Sequence, residues 1–288
     1  MRKLLVWCLL LPLAGYSQQR LHVTLIGGFS NYQGDLQGKY FTLNQANLAL
    51  GAGLQYDLTP NVAVRLGFNY GSLEGDDKQN SGLLRARNLN FHTKIVEGNL
   101  LLQYTLFDLN DKRISPYVFA GVAIYHFDPY TYDTLGNKIF LKPLSTEGQG
   151  LAQYPNRKEY KLTQFAIPFG GGIKFRVSDN IVLGYEIGLR KLFTDYLDDV
   201  STRYVDPFLL ASARGMKAVE MSYRGGELKG GNPNYPADGT VRGGAKAKDW
   251  YYVTGITLTI GLGGGNGGSS YSGWNGRRSQ LGCPRVRQ

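Results

Sequence analysis

The chain has 288 residues, among them 39 glycines, 20 tyrosines and two cysteines, and a net charge of +10. So few cysteines exclude a disulfide-rich scaffold, and positive charge spread along the chain without a nucleic-acid motif argues against nucleic-acid binding. Many glycines together with many tyrosines favour an all-β protein.

The first residues have the pattern of a signal peptide. A basic start leads into the apolar run Leu4–Leu13, and small residues follow, so residues 1–17 are predicted to be removed before Gln18. The apolar run is too short to span a bilayer. Cleavage removes Cys8, which leaves Cys283 as the one cysteine of the mature chain.

Eight segments of the body alternate between bulky apolar residues and small or polar ones, the period of two of a β-strand. They are Leu21–Asn31, Ala46–Tyr56, Val62–Tyr70, Glu97–Phe107, Pro116–Phe127, Phe165–Phe175, Ile181–Leu189 and Trp250–Leu262. Each is about ten residues long, the length that a tilted strand needs to cross a bilayer. Pro116–Phe127 is apolar on both faces, so its orientation stays open.

The two faces of these strands predict which side meets lipid. The bulky face carries no charge, whereas the other face holds glycines, amides and five charges, with Leu101 as an apolar exception. An eight-stranded barrel has room inside only for side chains. Eight stripes of large apolar residues would overfill that space. Residues 18–262 are therefore predicted to form an all-β fold, an eight-stranded antiparallel up-and-down transmembrane barrel with the bulky face outward.

The connections between strands alternate in length. Asp57–Asn61, Asp108–Ser115 and Arg176–Asn180 are short, and Tyr32–Gln45, Gly71–Thr93, Asp128–Lys161 and Phe193–Lys248 are long. Short periplasmic turns and long extracellular loops are typical of outer-membrane barrels, so both chain ends are predicted to be periplasmic. Aromatic girdles are expected at both rims: Tyr56, Tyr104, Phe107 and Phe175 on the periplasmic side, and Tyr70, Phe91, Phe127, Phe165 and Tyr252 on the outer side.

Five charged residues of the inner face are candidates for a site inside the barrel. They are Arg65, Glu97, Lys174, Glu186 and Arg190. Lining a pore is one reading, but eight strands leave no aqueous channel. We expect an ion-paired plug instead.

The three histidines offer little support for catalysis or metal binding. His22 is predicted at the periplasmic end, and His92 and His126 near the outer rim. Pairing His126 with Asp128, or His92 with Asp195, would give an acid–base couple, but rim polar residues at the lipid headgroups are the expected role. No cluster of ligands predicts a metal or another cofactor.

The tail, residues 263–288, begins with the glycine-rich linker Gly263–Ser270 and has no acidic residue after it. Its candidate partner-binding residues are Trp274, Arg277, Arg278, Cys283 and Pro284. A basic segment with an aromatic residue can dock an acidic partner. An unpaired cysteine in an oxidising compartment suggests a bond to another chain, although a disordered end with an unused thiol remains the alternative.

Several motifs together resemble the PorG-type outer-membrane barrels of the type IX secretion system of Bacteroidota. The motifs, in order, are the one containing Tyr32, Gly34 and Asp35 within Asn31–Leu36, then Ser115–Ala123, Pro168–Lys174 and Asp195–Ser201, and the Cys283–Pro284 ending. The resemblance covers nearly the whole mature chain, except for Arg214–Lys248.

The resemblance implies a non-enzymatic component of a protein-secretion and gliding machine. Such a component would bind the periplasmic ring formed by PorK-like (GldK-like) lipoprotein and PorN-like (GldN-like) protein, and Cys283 would form an intermolecular disulfide with a ring subunit. Two alternatives stay open: an OmpA-like or OmpW-like surface barrel acting through its loops as an adhesin or small-molecule conduit, and a hydrolase using a rim histidine.

Overall fold

Eight long strands close into an antiparallel barrel in the computed structural model, which describes residues 20–37, 45–244 and 248–262. The barrel strands are β1 (Leu21–Gln33), β2 (Asn47–Asp57), β3 (Val62–Asp76), β4 (Asn90–Thr105), β5 (Ile114–His126), β8 (Thr163–Ser178), β9 (Ile181–Leu192) and β10 (Trp250–Gly261). Each pairs with the next barrel strand in the chain, and β10 pairs with β1. The predicted fold class is confirmed.

The bulky faces point outward, as the alternation predicted. Leu66 is 59% exposed and Ile256 is 63% exposed, and on β5 the outward residues are Val118, Val122 and Ile124. Tyr117 of β5 is buried inside, which settles the orientation that the sequence left open. This apolar belt surrounds the barrel, the arrangement that a bilayer requires.

Several strands run further than the apolar alternation predicted, towards the end that carries the long connections. β3 and β4 remain paired from Val62 and Tyr104 up to Asp76 and Asn90, so much of the predicted loop Gly71–Thr93 is sheet. Outward residues in this extension are polar, which is why an apolar pattern did not find them. The belt therefore ends below the tips of these strands.

The predicted outer girdle is wrong for Phe91 and Phe127. Both side chains are fully buried, and both belong to an apolar cluster that fills the loop end of the barrel. Tyr252, also predicted for this girdle, is 9% exposed and therefore buried, whereas Tyr70 and Phe165 are exposed as predicted. An aromatic residue near a rim can face either the lipid or the interior, and composition alone does not distinguish these.

The long connections fold into a compact cap over the loop end. The cap contains the hairpin β6 (Tyr130–Tyr132) and β7 (Lys138–Phe140) and the helices α1 (Gly82–Arg87), α2 (Pro207–Arg214) and α3 (Met216–Ser222). Asp206 caps the start of helix α2, and its carboxylate accepts from the backbone N–H groups of Phe208 and Leu209. None of the described helices is long and apolar enough to cross a membrane.

The opposite end of the barrel carries the short turns. The start of β1 and the end of β10 also lie there. The turns are residues 58–61, 106–113 and 179–180. The backbone N–H of Leu262 donates to the carbonyl of Leu21 at 2.9 Å. The chain therefore enters and leaves the barrel at this one end.

Candidate functional site

A column of polar contacts fills the barrel interior, and the part nearer the loop end is centred on Glu97. The Glu97 carboxylate accepts from Arg190 Nε at 3.0 Å, from the Tyr251 hydroxyl, and from the side-chain amides of Asn69 and Asn99 at 2.7 Å each. Glu97 is fully buried. A buried charge with this many donors is compensated, so the contacts favour a structural role.

The next part of the column is centred on Glu186. Its carboxylate accepts from Arg65 Nη1 at 2.6 Å and from the Tyr117 hydroxyl at 2.8 Å. Lys174 lies beside this group, with its Nζ 3.4 Å from Gln55 Oε1 and 4.8 Å from the centre of the Tyr117 ring. The five predicted interior charges thus form two salt bridges and one lysine that has only weak polar contacts.

Little empty space remains between these pairs. The cavity lined by Arg65, Glu186 and Arg190 has a volume of about 20 Å³. That volume holds about one water molecule. The described interior is therefore filled by side chains, which favours a plug over a conduit.

The predicted motif residues Tyr32, Gly34 and Asp35 lie at the loop end, against the Asp195–Ser201 segment. The Tyr32 hydroxyl donates to Asp198 Oδ2 and lies 3.4 Å from Asp249 Oδ1. A Cβ added at Gly34 would come within 2.1 Å of the Tyr32 hydroxyl oxygen and of Asp249 Oδ1, so a larger residue there would force these two side chains to move. Asp35 accepts from the backbone N–H of Gly244 at 2.9 Å. These residues join two connections of the cap.

Two arginines, which the sequence did not single out, hold the cap together. Arg87 Nε donates to Asp77 at 2.7 Å, and its Nη2 donates to the carbonyl of Asp35 at 3.0 Å. Arg242 Nη1 donates to Glu147 Oε1 at 3.0 Å and to the carbonyl of Asp199 at 2.6 Å. All four long connections thereby contribute to one buried network.

Burial changes the ionisation of carboxyl groups in this network. Burial is the main cause that raises the pKa of Asp195 to about 7 and that of Asp199 to about 6. Burial together with the nearby Asp35 carboxylate also raises the pKa of Asp198 well above its ordinary value. The cap is therefore most stable when these groups carry protons.

The three histidines lie in different places. His22 Nε2 is 2.9 Å from an Asp57 carboxylate oxygen, at the end with the short turns. His92 Nδ1 is 3.3 Å from Glu74 Oε2, and His126 Nδ1 is 2.9 Å from Thr163 Oγ1. The two acid–base couples considered for catalysis are not among the hydrogen bonds of the described residues.

Asp195, the other member of one such couple, accepts from the Ser201 hydroxyl at 2.8 Å. The candidate partner-binding residues Cys283, Pro284, Trp274, Arg277 and Arg278 lie outside the described residues, as do the predicted signal peptide and the linker.

The closed sheet, the outward apolar belt and the filled polar interior define a transmembrane β-barrel of the outer-membrane type. The chain belongs to the family described as a domain of unknown function, DUF6089, whose model matches residues 2–212. No curated protein matches the chain at a significant level.

Solved structures with a similar chain path include Neisserial surface protein A, with 7% identity and a TM-score of 0.42, covering 84% of this chain and 96% of that one. A major outer membrane protein of Thermus thermophilus has 13% identity and a TM-score of 0.41, covering 84% and 98%. OprG of Pseudomonas aeruginosa has 11% identity and a TM-score of 0.39, covering 85% and 98%. Similarities this low transfer no residue role to this chain.

Proposed function

We propose that this chain is a non-enzymatic outer-membrane anchor of a type IX secretion machine. In this proposal the barrel sits in the outer membrane, and residues 263–288 hold a periplasmic assembly beneath it. The partners are a PorK-like (GldK-like) lipoprotein and a PorN-like (GldN-like) ring protein, as implied by the motifs that resemble PorG-type barrels. Cys283 forms a disulfide with one of these subunits.

The observation that carries the proposal is the position of Leu262. This residue leaves the barrel beside Leu21, at the end with the short turns. Short turns are typical of the periplasmic end of outer-membrane barrels, which supports a tail that starts in the periplasm. The chain from Leu262 to Cys283 can extend at most about 70 Å, enough to reach an assembly below the membrane.

The filled interior supports an anchor over a conduit. The Glu97–Arg190 and Glu186–Arg65 salt bridges cross the lumen, and moving either one would expose a buried charge. A barrel that carries no solute can still serve as a rigid membrane attachment. The function then depends on what its two ends contact.

The anchor proposal is tested by replacing Cys283 with serine in the full chain. We expect wild-type cells to show a disulfide-linked species by non-reducing electrophoresis, and we expect this species to be absent from the variant. Secretion should fall in the variant, while the barrel remains folded. A matched variant adds Ser279→Cys to Cys283→Ser, which keeps one cysteine in the tail at another position. Monomer alone in wild-type cells under non-reducing conditions would contradict the disulfide, and unaffected secretion after truncation behind Gly263 would contradict the anchor.

A second candidate function is a surface barrel that acts through its loops. The observation in its favour is that the cap exposes large apolar side chains: Leu135 at 84%, Phe208 at 83% and Met216 at 72%. If the chain acts through this surface, replacing all three residues with serine should abolish the surface interaction. If the anchor proposal is correct, the same replacement should leave secretion unchanged. Deleting Asp128–Lys161 is a poorer test, because it removes Glu147 from the buried cap network.

A further inference from the structure

A cleft of about 320 Å³ opens at the loop end, where the extension of β3 and β4 meets the hairpin β6–β7. Glu74, Asp76, Asn90, His92 and Tyr132 are among the residues that line it. Its volume lies at the lower end of the range for small-molecule sites. The proposed anchoring function does not use this cleft.

The floor of the cleft is a set of paired polar residues. Glu74 lies opposite His92 and Asp76 lies opposite Asn90 in the antiparallel register of β3 and β4. Because side chains alternate along a strand, all four project from the same, outward face. His92 Nδ1 and Glu74 Oε2 are in contact at 3.3 Å.

The cleft lies outside the apolar belt. The last belt residue of β3 is Tyr70, and Glu74 and Asp76 follow it on the same face. Charged side chains are costly within the hydrocarbon layer, so the residues beyond Tyr70 belong to the headgroup or aqueous zone. A ligand can therefore reach the cleft from the cell surface.

One wall of the cleft is aromatic. Tyr132 is half-exposed, and its ring lies edge-on to His92 with the ring centres 5.8 Å apart. Tyr130 stacks on His92 from the same strand at 5.7 Å, which fixes the imidazole. The cleft thus combines a flat ring with carboxylate, amide and imidazole groups.

These groups discriminate among classes of ligand. Within residues 20–37, 45–244 and 248–262, no group of three or more His, Cys, Asp or Glu side chains is arranged to hold a metal ion. The charges of the lining are mixed, because Lys78 and Arg224 line the cleft together with Glu74 and Asp76, so the cleft favours a ligand without net charge. A purely apolar ligand would leave the polar floor without hydrogen bonds.

Sugar hydroxyls match the floor, because each can donate to a carboxylate and accept from the side-chain N–H groups of Lys78 or Asn90, which also line the cleft. We propose that this cleft binds a neutral saccharide, with one sugar ring against Tyr132 and its hydroxyls on Glu74 and Asp76. The sugar could come from a free oligosaccharide or from the core of lipopolysaccharide, which share this chemistry.

The proposal is tested by calorimetric titration of the full chain in lipid nanodiscs. The probes are maltotriose and a delipidated, dephosphorylated lipopolysaccharide core oligosaccharide. We expect saturable binding of at least one probe, and binding of the core alone would identify lipopolysaccharide as the source. The Glu74→Gln/Asp76→Asn double variant should bind about tenfold more weakly, because two hydrogen bonds from sugar hydroxyls lose their charge assistance.

Matched variants separate binding from folding. Asp179→Asn changes an exposed carboxylate in a turn at the opposite end and should bind as the wild type does. Tyr132→Phe keeps the ring and should retain binding, whereas Tyr132→Ala should lose it. If neither probe binds the wild-type chain, or if the double variant and Tyr132→Ala bind with unchanged affinity, the proposal is wrong.

Discussion

The hydroxyl of Tyr32 donates a hydrogen bond to the carboxylate of Asp198, joining the end of strand β1 to the connection between β9 and β10. The two residues are 166 positions apart in the chain, and both are buried. Asp198 in turn accepts from the backbone N–H of Val200 at 2.9 Å. This contact ties the cap to the barrel wall.

Replacing Tyr32 with phenylalanine should loosen the cap without unfolding the barrel. The change leaves the buried Asp198 carboxyl without its hydroxyl donor, which costs about 1–3 kcal/mol. We expect faster proteolytic nicking in residues 193–249 and an unchanged barrel by far-ultraviolet circular dichroism. Tyr104→Phe, which alters an outward ring of the belt, is the control and should be nicked as slowly as the wild type.

Replacing Glu97 with glutamine should strongly destabilise the barrel. Arg190 would remain buried without its counter-charge, a change that costs about 3–5 kcal/mol. Denaturant unfolding measures the loss, and Arg190→Met added to Glu97→Gln should recover much of it. Glu159→Gln breaks only the partly exposed pair with Arg214 and should cost less than about 1 kcal/mol. Equal effects of the two single variants would argue against a structural plug.

An arginine in place of Leu66 should destabilise the protein in a bilayer. Leu66 faces outward in the middle of the belt, opposite Leu54 and Leu100 on the neighbouring strands. A charge at mid-depth costs about 2–4 kcal/mol, measurable by unfolding from lipid vesicles. Leu135→Arg places the same charge on the cap and should change the stability by less than about 0.5 kcal/mol.

The cap should lose stability as the pH rises. Burial raises the pKa of Asp199 to about 6 and that of Asp195 to about 7, above their ordinary value of 3.8. A raised carboxyl pKa stabilises the folded cap fully below pH 4, and this stabilisation is lost as the pH rises through 6 and 7. The near-ultraviolet circular dichroism signal, to which the stacked Tyr160 and Tyr196 rings contribute, should be lost at a lower temperature at pH 8 than at pH 5.

The Asp195→Asn variant is the matched test of that pH dependence. An amide keeps an acceptor for the Ser201 hydroxyl but does not titrate. The difference in melting temperature between pH 5 and pH 8 should therefore become smaller. A difference that stays unchanged would assign the pH dependence to other groups.

The barrel could be predicted from the sequence because each strand carries its own signal. Leu66 and Ile256 stand in strict alternations that a bilayer imposes on every strand separately. The same alternation continues beyond the belt with polar residues such as Glu74 and His92, where the apolar signal is lost. The predicted strands Val62–Tyr70 and Glu97–Phe107 are therefore too short at the loop end of the barrel.

Contacts across long stretches of chain could not be predicted. Alternation indicates that Arg65 and Glu186 face inward, but their pairing depends on strand tilt and stagger across the lumen. The cap network depends on Arg87, Arg242 and Glu147, which come from three connections with no periodic pattern. The motifs around Tyr32 and Gly34 and in Asp195–Ser201 gave a sequence signal there, and the contact between them became clear only in the folded chain.

The central claim is that the belt lies in the outer membrane with the cap outside and Cys283 in the periplasm. Labelling with a membrane-impermeant maleimide after mild reduction tests it directly, using wild-type cells and cells carrying Leu135→Cys with Cys283→Ser. In intact cells the cap cysteine should react and Cys283 should not, and Cys283 should react once the outer membrane is permeabilised. Labelling of Cys283 in intact cells, with the cap cysteine protected, would contradict the account.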